Sequence, residues 1–261
     1  MTPAAFKRSI RDLQVWCSSC MVAFSGPDPI GVLIGAKRPS GTLVHKIAVH
    51  PDHRRQGHGR HLLASLSSKL AILGPPKIVA EVPESLAPAC ELFSACGYVH
   101  EALLTDYVLQ PEQEESDMQG GFVIPVTVDD LAANDLLGPP SPSASAGQGD
   151  RQVCWERSVE TLTARKDDIA GLAVASDERI EAYVLYVNRG MGETEILSLR
   201  SFIDDGGAGL KQLLARLRAQ GTETIRFPKV HPAEISKELG ETLGFSPTGR
   251  HVLYTASARS A

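Results

Sequence analysis

The chain has 261 residues, 43% of them hydrophobic, and a formal net charge of −5. That length is generous for one small domain and sufficient for two packed cores. The mild acidity argues against nucleic acid as the main partner, and no stretch approaches the roughly 18 consecutive apolar residues of a membrane span. The first residues lack the charged-then-apolar pattern of a secretory leader, so the expectation is a soluble, cytoplasmic protein with no nucleic-acid or membrane partner. Five cysteines, an odd number, do not outline a disulfide framework. Cys17 and Cys20 form a C-x-x-C with no second pair to complete a zinc ribbon. They are read as small buried hydrophobes, and no metal is expected.

In chain order, residues 6–20 carry a mixed helical pattern through Phe6, Ile10, Leu13, Trp16, Cys17 and Cys20. Met21–Phe24 and Ile30–Ile34 read as strands. Ser40-Gly41 is predicted to turn a hairpin into a strand ending His45-Lys46-Ile47-Ala48-Val49. Alternation places His45, Ile47 and Val49 on one face, with Lys46, Ala48 and His50 on the other. A basic, glycine-punctuated turn follows, Arg54-Arg55-Gln56-Gly57-His58-Gly59-Arg60. Gly57 and Gly59 carry no Cβ and let the backbone come close to a ligand. The amides of residues 56–60 would line one concavity at a helix N-terminus, where free N–H groups and the helix dipole favour phosphate. Arg54, Arg55 and Arg60 add positive charge. The plainer reading is that the two glycines only cap a tight strand-to-helix turn. A dinucleotide loop would want a third glycine and an acidic residue about 20 positions on, and a P-loop would want Gly-Lys-Ser/Thr; neither is present. His50, His53, His58 and His61 are crowded but fall across a strand end, a loop and a helix start. They lack the supporting partners that orient metal ligands, and His53 and His58 are read as solvated loop residues. A helix over 58–72 ends before Gly74-Pro75-Pro76. Lys77–Val82 reads as a strand, Pro88–Cys96 as a helix closed by Gly97, and Tyr98–Leu109 as a strand.

Two breaker-rich segments follow, 111–121 and 138–150, around a strand at Phe122–Val128 and a helix at Asp129–Leu137 with an aspartate cap. The remainder repeats the first part. Ile30–Ile34 matches Glu181–Leu185, His45–Val49 matches Glu195–Leu199, and Gly57 and Gly59 match Gly207 and Gly209 at an offset of 150. A period this long means two copies of a domain. The predicted organisation is a domain over 1–110, a linker over 111–121, and a second domain over 122–261 with a mobile insert at 138–150. Each copy reads as a mixed α/β sheet. The first copy has no equivalent of the Phe122–Val128 strand. Either it is trimmed there or residues from elsewhere complete its sheet edge.

The strand ending Ile47-Ala48-Val49 followed by Arg54-x-x-Gly57-x-Gly59 resembles the acyl-CoA signature of the Gcn5-related N-acetyltransferase (GNAT) family. The resemblance implies two GNAT-like domains, each a mixed, mostly antiparallel sheet flanked by helices. It implies that the loop amides hold the coenzyme A pyrophosphate and that pantetheine pairs with a splayed strand edge. Carried onto this chain, the coenzyme-binding residues are Ile47, Ala48, Val49, Arg54, Arg55, Gln56, Gly57, His58, Gly59 and Arg60, with acetyl-CoA as co-substrate. The family pattern Asn-x-x-Ala-x-x-Leu-Tyr-x-x-x-Gly-Phe corresponds here to Leu86, Ala89, Leu92-Phe93 and Gly97-Tyr98. The asparagine is absent, and Phe93, which can pack against pantetheine, cannot donate the proton that the family's tyrosine often supplies. Tyr98 and Tyr107 are secondary candidates for that acid, with core packing as the favoured reading.

The implied reaction is acetyl transfer to an amine, in a small molecule or a peptide, by direct attack. A primary amine with a pKa near 10.4 must lose a proton first, and backbone N–H groups near Val49 would stabilise the oxyanion. His45 is the candidate base; arylalkylamine acetyltransferases are similar over this stretch and carry histidine at the matching place. In the second copy Asp204 and Asp205 stand where the first has arginines, which predicts repulsion of a pyrophosphate and a copy that binds no coenzyme A and is either structural or shapes the acceptor cleft. The oligomeric state is left open. The alternative is a non-catalytic acyl-CoA sensor or scaffold.

Overall fold

The computed structural model describes residues 7, 10–110, 122–138 and 153–258. The predicted linker 111–121 and all but the first residue of the insert 138–150 lie outside the described residues. The strands in chain order are β1 (Met21–Ser25), β2 (Asp28–Arg38), β3 (Gly41–Val49), β4 (Lys77–Pro83), β5 (Val99–Leu109), β6 (Phe122–Val126), β7 (Ala170–Ala175), β8 (Ile180–Gly190), β9 (Glu193–Ser201), β10 (Thr224–Val230) and β11 (Ser246–Ser257). The helices are α1 (His58–Leu73), α2 (Ala87–Ala95), α3 (Val128–Ala133), α4 (Val159–Ala164), α5 (Ala208–Ala219) and α6 (Lys237–Thr242). The fold is mixed α/β with mostly antiparallel strand pairing. The chain divides into two compact units: residues 1–103 with 250–261, and residues 104–249.

In unit 1, β1, β2 and β3 form an antiparallel meander, β3 continues to β4 in parallel, and β4 pairs antiparallel with residues 251–257 of β11. Leucines at 62, 63, 66 and 70 recur at helical spacing along α1 and bury one stripe. They pack on Leu33, Val44, Ile78, Ala80 and Val82 from the sheet. Each such leucine stabilises the fold by roughly 2 kcal/mol of removed apolar surface. The Gly74 N–H donates to the Leu70 carbonyl, and Pro75 and Pro76 forbid another turn. The hairpin turn is Pro39-Ser40, because Arg38 pairs with Gly41. Gly41 is therefore the first residue of β3 rather than part of the turn; a Cβ there would lie 3.3 Å from the Lys77 carbonyl oxygen. Cys17 is exposed, not buried as expected, and Cys20 is half-buried with its thiol donating to the Trp16 carbonyl at 3.3 Å. None of the five cysteines forms a disulfide.

The largest departure from the sequence reading concerns the last strand of each repeat. Residues 105–109 of β5 belong to unit 2, where Leu109, Val108 and Tyr107 pair with Ile225, Arg226 and Phe227 of β10. Residues 250–261 belong to unit 1. The division at 111–121 expected from the sequence gave them to the second copy. The physical reason is that β4 and β10 each need an antiparallel neighbour, and the last strand of the other repeat supplies it.

In unit 2 the strand order runs β5-β10-β9-β8-β7-β6. Beyond the exchange, β7, β8, β9, α5, β10 and α6 follow one another as β1, β2, β3, α1, β4 and α2 do. Helix α3 is capped by Thr127, not by an aspartate. Its side chain accepts from the Asp130 N–H while the Asp130 carboxylate accepts from the Thr127 N–H, a capping box. The helix ends at Ala133 rather than Leu137. Among the described residues nothing in unit 1 corresponds to β6, and Val22 and Phe24 of β1 are 51% and 61% exposed.

Candidate functional site

The site in unit 1 begins where β3 and β4 part. They pair only at Thr42–Ile78 and Leu43–Val79, while β3 runs on to Val49 and β4 is held on its other edge by β11. The His50 N–H donates to the Ile30 carbonyl at 2.7 Å. Strand alternation therefore directs the N–H groups of Val49 and Ile47 to the opposite side, toward the gap. No described strand pairs with that edge beyond Leu43. It offers a row of backbone donors and acceptors to an extended ligand and a donor to a developing oxyanion.

A β-bulge interrupts β3 just before this edge. The register with β2 passes from Gly35–Val44 to Ile34–Lys46, which leaves His45 as the inserted residue. Val44 and Ile47 both pack into the core beneath α1 and α2. Two residues of opposite parity can share a face only across a bulge, so His45 and Lys46 both project to the other face. The expected grouping of His45 with Ile47 and Val49 is thus corrected: simple alternation cannot register an inserted residue. The half-buried His45 looks away from the helices.

The loop after β3 is a 3-10 turn, Pro51–His53, then Arg54 to Gly57. Arg54 donates from Nε to the Val49 carbonyl at 3.1 Å and Gln56 from Nε2 to the Asp52 carbonyl at 3.1 Å, so both side chains tie the loop down. Arg55 sits in the left-handed region at φ 62°. Its guanidinium lies 3.5 Å from the Glu91 carboxylate, with both side chains largely solvated, a contact of little energetic weight. Gly57 caps α1 at φ +89°, and a Cβ there would meet nothing within 4 Å. Glycine is required by the dihedral angle rather than by crowding. Gly59 is required by packing: its Cβ would stand 3.1 Å from a Leu92 methyl, so it lets α1 approach α2. No acidic residue stands in the first turn of α1. Its leading N–H groups, the half-buried His58 and Gly59 with the exposed Arg60, and the two preceding arginines form a positive concavity. Arg60 hydrogen-bonds the Cys96 thiol; burial raises that thiol's pKa more strongly than the guanidinium lowers it. His50, His53 and His58 stack edge-on at 5.9 and 6.2 Å along the rim.

Phe93 lies elsewhere than the sequence placed it. It is 2% exposed, edge-on to Tyr98 at 5.1 Å and stacked on Tyr254 at 5.7 Å. It is the centre of an aromatic trio inside the core. Tyr254 was missed because it arrives on β11, far away in sequence. Its hydroxyl donates to the Cys90 carbonyl and accepts from Ser94, both at 3.4 Å. The buried Tyr98 hydroxyl has no hydrogen-bond partner among the described residues, and burial pushes its pKa far up. Tyr107 belongs to unit 2, packed edge-on against Phe245 at 6.1 Å.

Unit 2 has the same scaffold with its openings closed. β9 and β10 pair over only three positions, Thr224 to Arg226 on β10, and Gly207 caps α5 at φ +86°. Here the Asp205 carboxylate accepts from the Gly207 N–H at 2.9 Å and the Gly209 N–H at 2.7 Å. A built-in anion fills the concavity that unit 1 leaves open. Beyond the paired residues, the buried Arg157 donates to the Lys229 carbonyl at 2.8 Å, pairs with Glu234, and lies 4.7 Å over the Phe227 ring. Asp205, one of the two aspartates that suggested repulsion in the sequence, acts as a cap.

Residues 3–98 match the family model described as Acetyltransferase (GNAT) family. Solved structures with the same fold include a tandem GNAT protein from the clavulanic acid biosynthesis pathway, with 18% identity over 93% of this chain and 83% of that one at a TM-score of 0.63. A GCN5-related N-acetyltransferase from Sphaerobacter thermophilus shares 16% identity over 92% of this chain and 81% of that one, at a TM-score of 0.63. Another from Anabaena variabilis shares 10% identity over 99% of this chain and 67% of that one, at 0.65. The match to the GNAT acetyltransferase family covers the N-terminal part of the chain, residues 3–98, and the fold is that of the solved GNAT proteins. Acetyl transfer from acetyl-CoA is the general reaction of that family. No helix among the described residues is long and apolar enough to cross a membrane.

Proposed function

We propose that unit 1 binds acetyl-CoA and transfers its acetyl group to an amine by direct attack, while unit 2 binds no coenzyme. The observation that carries this reading is the edge of β3 left without a strand partner beyond Leu43, running straight into the uncapped, arginine-flanked N-terminus of α1. Ile47, Ala48 and Val49 would hold the pantetheine arm. The amides from Gln56 to Arg60 would hold the pyrophosphate, with Arg54 and Arg55 beside it. His45, on the face away from the helices, is the candidate base. The acceptor is an amine of a small molecule or peptide, met in the cytoplasm, and no metal takes part. The second reading, an acyl-CoA-binding sensor or scaffold without turnover, is favoured by one observation: Phe93 replaces the usual proton donor and is enclosed in the core.

Calorimetric titration of acetyl-CoA into the wild type and Gly57→Glu tests both. One site per chain, lost in the variant, supports the unit 1 assignment. Two sites would sink the assignment of unit 2, and none would end the enzyme reading. Turnover of an amine panel by the binding-competent protein separates enzyme from sensor.

A further inference from the structure

We propose that Cys17 and Cys20 are a redox-active dithiol, a modification site that closes into a disulfide by exchange with a low-molecular-weight disulfide such as oxidised glutathione. The inference stands apart from the acetyl-transfer reading of unit 1. It starts from a C-x-x-C that neither a zinc ribbon nor core packing accounts for, since Cys17 is exposed and Cys20 half-buried. The other three cysteines are placed differently. Cys90 and Cys96 are half-buried and Cys154 is buried. The Cys90 thiol donates to the Pro83 carbonyl at 3.8 Å, and the Cys96 thiol is engaged by Arg60. An attacking thiol must meet its partner in solution, and of the five Cys17 alone is exposed.

The local fold puts the second thiol in reach. Residues 17–19 form one turn of 3-10 helix, closed by the Cys20 N–H donating to the Cys17 carbonyl at 3.0 Å. A turn closed in this way holds its first and fourth Cα atoms within about 7 Å, and side chains three apart on a 3-10 turn stand on one side of it. A disulfide asks for Cα atoms about 4.4–6.8 Å apart, so the turn need not unwind to supply one. The Cys20 thiol already points back across the turn. It donates to the Trp16 carbonyl at 3.3 Å, part of the peptide unit that leads into Cys17, and its sulfur lies 3.9 Å from the Gly35 carbonyl oxygen. Rotation of the exposed Cys17 side chain is the main movement left.

The turn is also fixed to the sheet. The Trp16 N–H donates to the Gly35 carbonyl at 3.2 Å, and Val15 bridges to Ala36. A Cβ on Gly35 would stand 2.5 Å from the Ser19 carbonyl oxygen, so only glycine lets the turn come this close to β2. Both cysteines are therefore presented by anchored backbone, which lowers the entropic cost of joining them.

The exchange balances in two steps. The Cys17 thiol gives its proton to water, and the thiolate attacks one sulfur of oxidised glutathione. A Cys17–glutathione S–S bond forms, the glutathione S–S bond breaks, and one glutathione leaves as a thiolate. Cys20 gives its proton to that thiolate and attacks the Cys17 sulfur. The protein disulfide forms, and the second glutathione leaves as a thiolate that takes a proton from water. Two protein thiols are oxidised and one small disulfide is reduced. A reducing medium reverses both steps, as it does for transient intracellular disulfides.

The test equilibrates the full chain, native and in urea, in glutathione buffers of rising oxidised fraction. Free thiols are then blocked with a maleimide in denaturant and the protein is digested with trypsin. Cleavage after Arg11 and Lys37 leaves both cysteines on one peptide, residues 12–37. From native protein that peptide is expected to be lighter by two hydrogen atoms and to carry no maleimide, while Cys90, Cys96 and Cys154 take up the label. Dithiothreitol should restore the dithiol. The native midpoint should need an oxidised fraction at least about ten-fold lower than the midpoint in urea. Cys20→Ser should stop with glutathione on Cys17, and Cys17→Ser should leave Cys20 unmodified. A wild type that accumulates the mixed disulfide without closing it, or leaves Cys17 unmodified, overturns the proposal. So do coincident midpoints in native buffer and urea. None of these three results needs a variant to fold.

Discussion

Replacing Asp205 by alanine should do two things that no ordinary surface substitution does together. It deletes a carboxylate that accepts from the N–H groups of Gly207 and Gly209 at 2.9 and 2.7 Å, both on buried residues. Loss of a helix cap costs about 1 kcal/mol, and loss of an anion at a helix N-terminus about 0.3–1 kcal/mol more. Water reaches the two amides poorly, so a total of about 2 kcal/mol is expected. For a unit of this size that lowers Tm by roughly 4–8 °C. Inorganic phosphate should then enter the vacated concavity and restore part of the loss by mass action. The concavity of unit 1 is present in both proteins and cancels from the comparison. Differential scanning calorimetry of wild type and Asp205→Ala, in Tris with and without phosphate, measures both effects. Equal Tm values in Tris, or a phosphate response no larger in the variant than in the wild type, would refute the idea that Asp205 occupies an anion site. Asp205→Asn keeps an acceptor but not the charge and should fall between the two.

Phe93→Ala empties the middle of the Tyr98–Phe93–Tyr254 stack and should cost about 3–5 kcal/mol in urea denaturation. Unchanged stability with a selective loss of acetyl-CoA affinity would instead make Phe93 a ligand contact. Cys96 should alkylate more slowly at neutral pH than the exposed Cys17. Burial raises the Cys96 pKa, so less of it is thiolate at a given pH below that value. Peptide mass mapping after a short iodoacetamide pulse reads the ratio, and equal labelling would contradict the burial argument.

The strand, glycine turn and helix between His45 and Leu73 were legible because each signal is local: alternation, then residues that tolerate positive φ, then leucines at helical spacing. The role of each glycine was not. Gly57 answers to its own dihedral angle, which a sequence suggests, but Gly59 answers to a Leu92 methyl, which only packing reveals. His45 was found by its place in the strand and assigned to the wrong face, since a bulge is set by hydrogen bonding to Ile34 and Gly35 rather than by composition. The Thr127-x-x-Asp130 cap was present in the sequence as a capping box and was overlooked in favour of the neighbouring Asp129. Tyr254 was out of reach, since its place depends on a pairing between distant strands. The repeat itself was readable from matched glycines, yet equal order along the chain does not say which copy of a strand fills which edge.

The pairing of β4 with β11 also sets the timing of assembly. Lys77 lies opposite Ser257, and Pro83 opposite His251, so the first sheet closes only with residues synthesised long after β4. A nascent chain carries β4 with one edge unsatisfied until β11 has been made. Long loops must be closed entropically before that edge is rewarded, which makes such closure slow and leaves the intermediate prone to pairing with the wrong strand. An N-terminal half expressed by itself inherits that open edge permanently. Neither repeat, as it runs along the chain, therefore completes its sheet by itself.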